Sequence, residues 1–291
     1  MLVSMVHQIA ALDTPPLVAI ALSDSRIQIW SWSTGKQLGE FKSNFTLGGK
    51  RMALTPDGAV CITGGWGRGL AAYSVPSGDL LWHRRDIHRL QSITLNASGN
   101  DIYCGIETRT VLVIDVKTGE TTSKIARAEK VFASMYSPHE LVVKKDKYMV
   151  RGESEVTIPA LSFGLHTSAF SPGTVCFSEP HAGARCVDLR SCELLWHHPS
   201  IYFNQAIYHP RTKLFYCTDC DESTPPNWFI RKLANHYEEC VIIAPIYGGW
   251  KTAFTNSGTY LLTATGDLYE TATGTLLRHL DFPQKDYPDM I

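Results

Sequence analysis

No apolar run in this sequence approaches the roughly 18 residues of a membrane-spanning helix. The opening stretch, MLVSMVHQIAALDTPP, has no basic leader and carries His7 and Gln8 inside its apolar part, so neither an anchor nor an export signal is expected. A surplus of either charge is also missing. Lys plus Arg number 27 and Asp plus Glu 28, for a formal net charge of -1. A broad nucleic-acid face would need a basic excess. Only a local patch of Arg84, Arg85, Arg89, Arg127 and Lys130 keeps that reading open. The 8 cysteines in 291 residues fall short of a disulfide scaffold, so reduced thiols in the cytoplasm are the expectation. Hydrophobic residues are 44% and charged residues 19%, which excludes a disordered chain.

Catalytic signatures are scarce as well. There is no Gly-x-Ser-x-Gly elbow and no His-Glu-x-x-His pair. The glycine-rich run from Gly64 to Gly69, around Trp66, is not followed by Lys-Ser or Lys-Thr, and reads as an exposed hairpin loop, not a phosphate cradle. Cys217-x2-Cys220 and His236-x3-Cys240 have zinc-like spacing. His236, however, falls at the opposite end of the unit from Cys220, about 16 Å away at roughly 3.3 Å per residue. Cys217 reads instead as a buried thiol on the second strand of its unit, matching Cys61, Cys104 and Cys176 in theirs. The acidic residues Asp219, Asp221 and Glu222 read as a solvated loop. No metal and no cofactor are expected.

What the sequence does have is a repeat. Gly48, Gly49, Ala53, Thr55 and Gly58 match Gly248, Gly249, Ala253, Thr255 and Gly258 at an offset of 200 residues. That is five units of about 40, the length of four short strands and their turns. Turn chemistry recurs at Asp13-Thr14-Pro15-Pro16, Pro56-Asp57-Gly58, Ala97-Ser98-Gly99, Ser137-Pro138-His139, Ser171-Pro172-Gly173, Pro210-Arg211-Thr212 and Asn256-Ser257-Gly258. A second marker is period-two alternation followed by a tight turn at Gly35, Gly78, Gly119, Cys192 and Gly274. Weaker copies lie around Glu155–Leu161 and in WFIRKLANHYEECVII. Both series count seven. The expected fold is all-β: a seven-bladed β-propeller of four-stranded antiparallel blades over 1–281, with a short tail at 282–291. Thr121–Met135 also fits a helical stripe, but the repeat favours strand-loop-strand. Trp82 and Trp196, at matching places, are expected to pack blade against blade. The last unit has its own outer strand, so the ends are expected to meet by side-chain packing.

Segments such as VIDVKTGE, seven times over, resemble the WD40-like and quinoprotein-like propellers across nearly the whole chain. The Trp-Asp dipeptide is replaced near its place by Ile29-Trp30, Ile114-Asp115 and Val187-Asp188, and the Gly-His dipeptide is absent. Quinone-cofactor members have eight blades and are exported, so the resemblance carries over no cofactor.

Loops between second and third strands and connections between blades should open on one rim. That rim collects Trp66, Arg68, Arg84, Arg85, His88, Arg127, His181, His197, His198, Tyr202, Phe203, Trp228, Tyr247 and Trp250. Trp, Tyr and Arg dominate binding hot spots. The segments Asp219–Asn227 and Val241–Trp250 read as long contact loops. The leading expectation is therefore a non-enzymatic propeller that binds a protein partner, as an adaptor or as a dedicated inhibitor such as a toxin-neutralising immunity protein. One alternative is a lactonase- or lyase-like enzyme using Arg51, His166, Gln205 and Lys251 at the axial channel. The other is a nucleic-acid reader using the local patch.

Overall fold

Each run of alternating apolar residues forms one strand, and each turn signal ends it. A computed structural model describes residues 6–43, 51–67, 69–134, 137–145, 147–152, 156–160, 167–179, 182–199, 203, 205–220, 228–233, 241–246 and 252–282, with only the backbone of Val156, Pro159, Asp219, Cys220, Trp228, Phe229, Arg231 and 241–246. Among these residues there is no helix, and 28 strands form seven four-stranded antiparallel sheets, each in simple sequence order.

Blade 1 contains β1 (Val6–Ala11), β2 (Leu17–Leu22), β3 (Arg26–Ser31) and β4 (Lys36–Lys42). Blade 2 contains β5 (Arg51–Leu54), β6 (Val60–Gly64), β7 (Leu70–Ser74) and β8 (Leu80–Arg84). Blade 3 contains β9 (Leu90–Leu95), β10 (Asp101–Ile106), β11 (Thr110–Asp115) and β12 (Thr121–Ala126). Blade 4 contains β13 (Lys130–Ser134), β14 (Ser137–Val143), β15 (Lys147–Arg151) and β16 (Val156–Pro159). Blade 5 contains β17 (Thr167–Phe170), β18 (Thr174–Glu179), β19 (Gly183–Asp188) and β20 (Leu194–His198). Blade 6 contains β21 (Gln205–His209), β22 (Leu214–Cys220), β23 (Trp228–Leu233) and β24 (Val241–Ile246). Blade 7 contains β25 (Thr252–Phe254), β26 (Tyr260–Thr263), β27 (Asp267–Glu270) and β28 (Leu276–His279). The first strand of each blade neighbours the first strand of the next, around to β25 and β1. These strands line the axis, and the fourth strands form the circumference.

The core lies between the blades. Strand β2 shows why. Its sequence, LVAIAL, is buried at every position. Val18, Ile20 and Leu22 pack with Leu262 and Leu268 of blade 7, while Leu17, Ala19 and Ala21 pack with Met52, Leu54 and Cys61 of blade 2. Alternate residues of one strand thus serve two different interfaces. Burial on both faces also explains why the inner strands read as continuous apolar runs.

The turn between third and fourth strands is one repeated device. In five blades a backbone N–H reaches back four residues: Gly35 to Ser31, Gly78 to Ser74, Gly119 to Asp115, Cys192 to Asp188 and Gly274 to Glu270. All five donors have left-handed φ, between 59° at Cys192 and 77° at Gly78. Asp115 and Asp188 each accept two further N–H groups from the turn, which explains the Asp-x-x-x-Gly pattern. Three residues beyond each donor the fourth strand bulges, at Leu38, Leu81, Thr122, Leu195 and Leu277. Glycine is needed at Gly119 for space as well as for φ, because a Cβ there would sit 2.7 Å from the Trp82 ring. Trp82 in turn donates its indole N–H to the Val116 carbonyl at 2.8 Å. The blade-packing role expected of Trp82 holds, and Trp196 packs against the core shared by blades 5 and 6.

The ring closes without a shared strand. Thr255 bridges Ala11 in parallel. The Asp13 N–H donates to the Asn256 side-chain oxygen at 2.9 Å, and Ser257 N–H donates to the Asp13 carboxylate at 2.8 Å. Arg278 donates to the Ser33 carbonyl at 2.7 Å. Phe282, inside the expected tail, is buried against Trp30 with ring centroids 5.4 Å apart. Residues 283–291 lie outside the described set.

Four local expectations need correction. Ser137-Pro138-His139 opens β14 and does not form the turn. Val241–Ile246 is β24, so most of that supposed loop is strand. His197 and His198 likewise stand on β20 and not in a loop. Cys61, Cys104, Cys176 and Cys217 are all on second strands and fully buried, but in different registers, opposite Leu54, Ile93, Ala169 and Ala206. A strand buried on both faces accepts a small residue at several positions, so burial did not require one register. Burial pushes the Cys61 thiol up to about 12. Thr121–Ala126 and Lys130–Ser134 are strands joined by a short connection, as the repeat required.

Gly119→Ala should lower stability by about 2 kcal/mol or more, from left-handed strain plus displacement of Trp82. Cys192→Gly should leave stability unchanged or raise it by up to about 1 kcal/mol. Urea midpoints measure both. Equal losses would disprove a shared left-handed turn.

Candidate partner-binding rim

A four-stranded meander returns its second-to-third loop and its exit connection to the same edge. Backbone hydrogen bonds tie these segments together over blades 2 to 4. Arg89 N–H donates to the Trp66 carbonyl, Glu107 N–H to Arg89, Ala128 N–H to Arg109 and Glu129 N–H to Val143. The result is a continuous rim sector on rigid strands, where loop side chains are presented to solvent.

The structure sorts the expected rim residues. Trp66 sits in the β6–β7 connection and is 61% exposed, the most exposed large hydrophobic side chain among the described residues. Arg85 and His88, in the exit connection of blade 2, and Arg127, in that of blade 3, are also exposed. Arg84 is engaged in structure. Its guanidinium makes paired bonds of 2.8 and 2.6 Å to Asp86, and reaches the Gly119 carbonyl at 2.7 Å in blade 3. This pairing holds the Asp86 carboxyl down at about 2. His197 is half-buried and donates its Nε2–H to the Ala182 carbonyl at 2.7 Å. Phe203 is a correction: it is fully buried in the core between blades 5 and 6 and presents nothing to a partner. Its place in a connection suggests the rim, but its side chain packs into the core beside Tyr208, Phe215 and Cys217. Arg68, His181, Tyr202, Tyr247 and Trp250 lie outside the described residues, and Trp228 is placed on β23 by its backbone alone.

The expected nucleic-acid patch does not form one cationic surface. Arg84 is paired with Asp86, and Arg89 with Glu107. Lys130 starts an axial strand, where burial lowers its pKa and Arg51 adds to the effect. The described positive charge gathers further along the rim, at Arg109, Arg127, Lys144, Lys145 and Lys147.

Among the described residues, a cavity of about 330 Å³ at the axis is lined by Ile9, Ala11, Leu54 and Phe254 together with the polar Thr167, Gln205 and Asn256. Gln205, expected at the channel, exchanges side-chain hydrogen bonds with Thr252. Arg51 donates to the Gln91 carbonyl at 2.7 Å. His166 and Lys251 lie outside the described residues. Among the described residues, no group of three His, Cys, Asp or Glu side chains is arranged to hold a metal.

One polar cluster was not legible in the sequence. Glu179 on β18 and Arg185 on β19 form an ion pair at 2.5 Å, with side-chain exposures of 0% and 6%. Tyr148 of blade 4 donates to Glu179 at 2.6 Å. Arg185 also lies over the Phe177 ring, 4.9 Å from its centroid. Burial, reinforced by the Glu179 carboxylate, pushes the Tyr148 phenol well above its ordinary range. A buried charge left without its partner costs several kcal/mol. Glu179→Gln alone should therefore destabilise by about 3 kcal/mol or more. Glu179→Gln with Arg185→Met should recover most of that loss in chemical denaturation. Absence of recovery would show that the pair does not act as a unit.

The Asp86 carboxyl, depressed below its ordinary 3.8, contributes stability that is complete above about pH 4 and lost as pH falls towards 2. An NMR titration should place its midpoint near 2, and Arg84→Gln should return it to the ordinary carboxylate range. The same midpoint in both proteins would exclude the ion pair.

No protein-family model and no curated protein sequence matches this chain. Its backbone, by contrast, is similar to two solved propellers. The structure of U3-55K superposes with a TM-score of 0.67 at 13% identity, covering 90% of this chain and 88% of that one. The WD40 repeats of RRP9 superpose with the same TM-score and identity, covering 90% of this chain and 87% of that one. With 1570 matching chains, such likeness defines an architecture and not a task. The chain has the WD40-like seven-bladed propeller fold.

Proposed function

We propose that this protein is a non-catalytic binding propeller that captures a protein partner on the rim over blades 2 to 4, as an adaptor or a dedicated inhibitor. A toxin-neutralising immunity protein is one specific form of that role, and the cytoplasm is its proposed location. The observation that carries the reading is Trp66, 61% exposed on a glycine-flanked loop, with exposed Arg85 and His88 in the neighbouring connection. A large exposed aromatic beside an exposed arginine is the usual composition of an interface hot spot. The WD40-like fold supports it further, because a rigid ring holds loops in fixed relation and spends little ordering entropy on binding.

The test begins with affinity capture from native extract and identification by mass spectrometry. Trp66→Ala should then weaken the purified complex by about 2 kcal/mol, with unfolding unchanged. Trp250→Ala tests the part of the predicted rim outside the described residues by the same measurement. Full affinity in both variants would remove the rim from the interface.

A further inference from the structure

We infer that the groove between blades 3 and 4 binds a compact oligophosphate anion. Three segments build it. The β10–β11 turn brings Arg109 between Thr108 and Thr110, the β12–β13 connection brings Arg127, and the β14–β15 turn brings Lys144, Lys145 and Lys147. Together they line a half-open depression of about 730 Å³, inside the ~300–1,000 Å³ range of small-molecule sites. Among the described residues, no carboxylate, aromatic or large aliphatic side chain is in the lining.

The charge there is poorly compensated. Arg109 meets Glu129 only at 3.7 Å. Among the described residues, Arg127, Lys144, Lys145 and Lys147 have no carboxylate within ion-pair distance. Asp146 lies between two of these lysines in the chain, outside the described residues. Even with Asp146 and Glu129 set against them, positive charge is in excess.

Backbone conformation gives a second observation. The chain enters the third strand through a residue with left-handed φ in five blades: 72° at Ser25, 84° at Gly69, 56° at Arg109 and 97° at Gly266, each just before the strand, and 82° at Gly183, the first residue of β19. Glycine meets that requirement with no side-chain clash, whereas arginine is strained by about 1 kcal/mol. Arg127 has the same strain, at φ 55°. Neither arginine is there for the backbone, so what each supplies is its guanidinium.

The lining selects among anions. A peptide would need an apolar anchor, and a single-stranded nucleic acid would need stacking aromatics along an extended basic track. Neither is present, and the flanking cation Arg89 is already paired with Glu107. Dense negative charge in a small volume is what guanidinium forks, ammonium groups and threonine hydroxyls recognise. This site goes beyond the protein-partner reading and does not depend on it.

Tripolyphosphate is the probe, titrated by calorimetry at low ionic strength. Saturable binding at one site per chain is expected. Arg109→Gly, and separately Lys144→Ala with Lys145→Ala, should each weaken it by about tenfold or more. Arg109→Gly should also leave the melting temperature unchanged or higher, which separates lost binding from lost folding. Arg190→Ala, on the opposite rim, should leave affinity unchanged. Absence of saturable binding would overturn the proposal. So would equal weakening by Arg190→Ala, which marks a diffuse field. Tighter binding of a single-stranded RNA oligonucleotide that also weakens with Arg85→Ala would overturn it in favour of a strand-binding track.

Discussion

Every sheet in this protein is buried on both faces, and by two different neighbours. That constraint governs the rest. A single blade such as β1–β4 has no core of its own, because Val18 and Ile20 need blade 7 while Ala19 and Ile29 need blade 2. Burying one such aliphatic side chain contributes about 1.5–3 kcal/mol, and each is realised only when the neighbour is present. The blades must therefore form together, and the ring must close. Closure here uses the same contacts as the other interfaces. Arg278 to the Ser33 carbonyl mirrors Arg84 to the Gly119 carbonyl, each running from a fourth strand to the turn of the next blade. Asp13, held by Asn256 and Ser257, adds a polar clasp at this seam.

Stacking leaves one edge of each sheet uncovered, the fourth strand. An exposed edge invites pairing with another chain. A left-handed turn followed by a bulge interrupts that edge at the same spacing in five blades, and the register shift between Ile230 and Arg231 gives blade 6 a bulge too. The bulge also explains the paired leucines Leu80-Leu81, Leu194-Leu195 and Leu276-Leu277, all about half exposed. At a bulge two consecutive residues oppose one partner, so strict in-out alternation fails locally. These leucines break the sequence pattern because the backbone breaks its register.

The repeat was legible because it rests on local chemistry. Thr55 and Thr255, matched across 200 residues, make the same bonds: each N–H donates to the carbonyl five residues on, at 3.0 and 2.9 Å, and each hydroxyl oxygen accepts from that residue's N–H, at 3.0 and 3.1 Å. Turn residues report φ and hydrogen bonding within a few positions, and the strands between them follow. What depended on three-dimensional partners was not legible. Phe203 and Trp66 are both aromatics in connections, yet one is buried and the other exposed, because only the first has a neighbouring core to enter. Arg84 looked available because its acceptor, Gly119, is 35 residues away. Cysteine register was equally hidden, since burial on both faces removes the alternation that would have fixed it.

Charge is the clearest case of information that composition cannot carry. Near-neutral balance argued against a broad basic surface and left only a local patch around Arg84 to Lys130, yet Arg109, Arg127 and the lysines from 144 to 147 share one groove. Each belongs to a different hairpin or connection, and each segment taken alone is unremarkable. The meander supplies the juxtaposition, because every second strand ends on the same rim where the preceding blade's chain exits. The arginines at 109 and 127 occupy backbone conformations that favour glycine. A frame held by seven interdigitated cores can tolerate that strain at its rim, where few packing contacts would be disturbed. The rim's chemistry is thus free to vary independently of the fold, which is why strand pattern reveals the ring so plainly and the ligand so poorly.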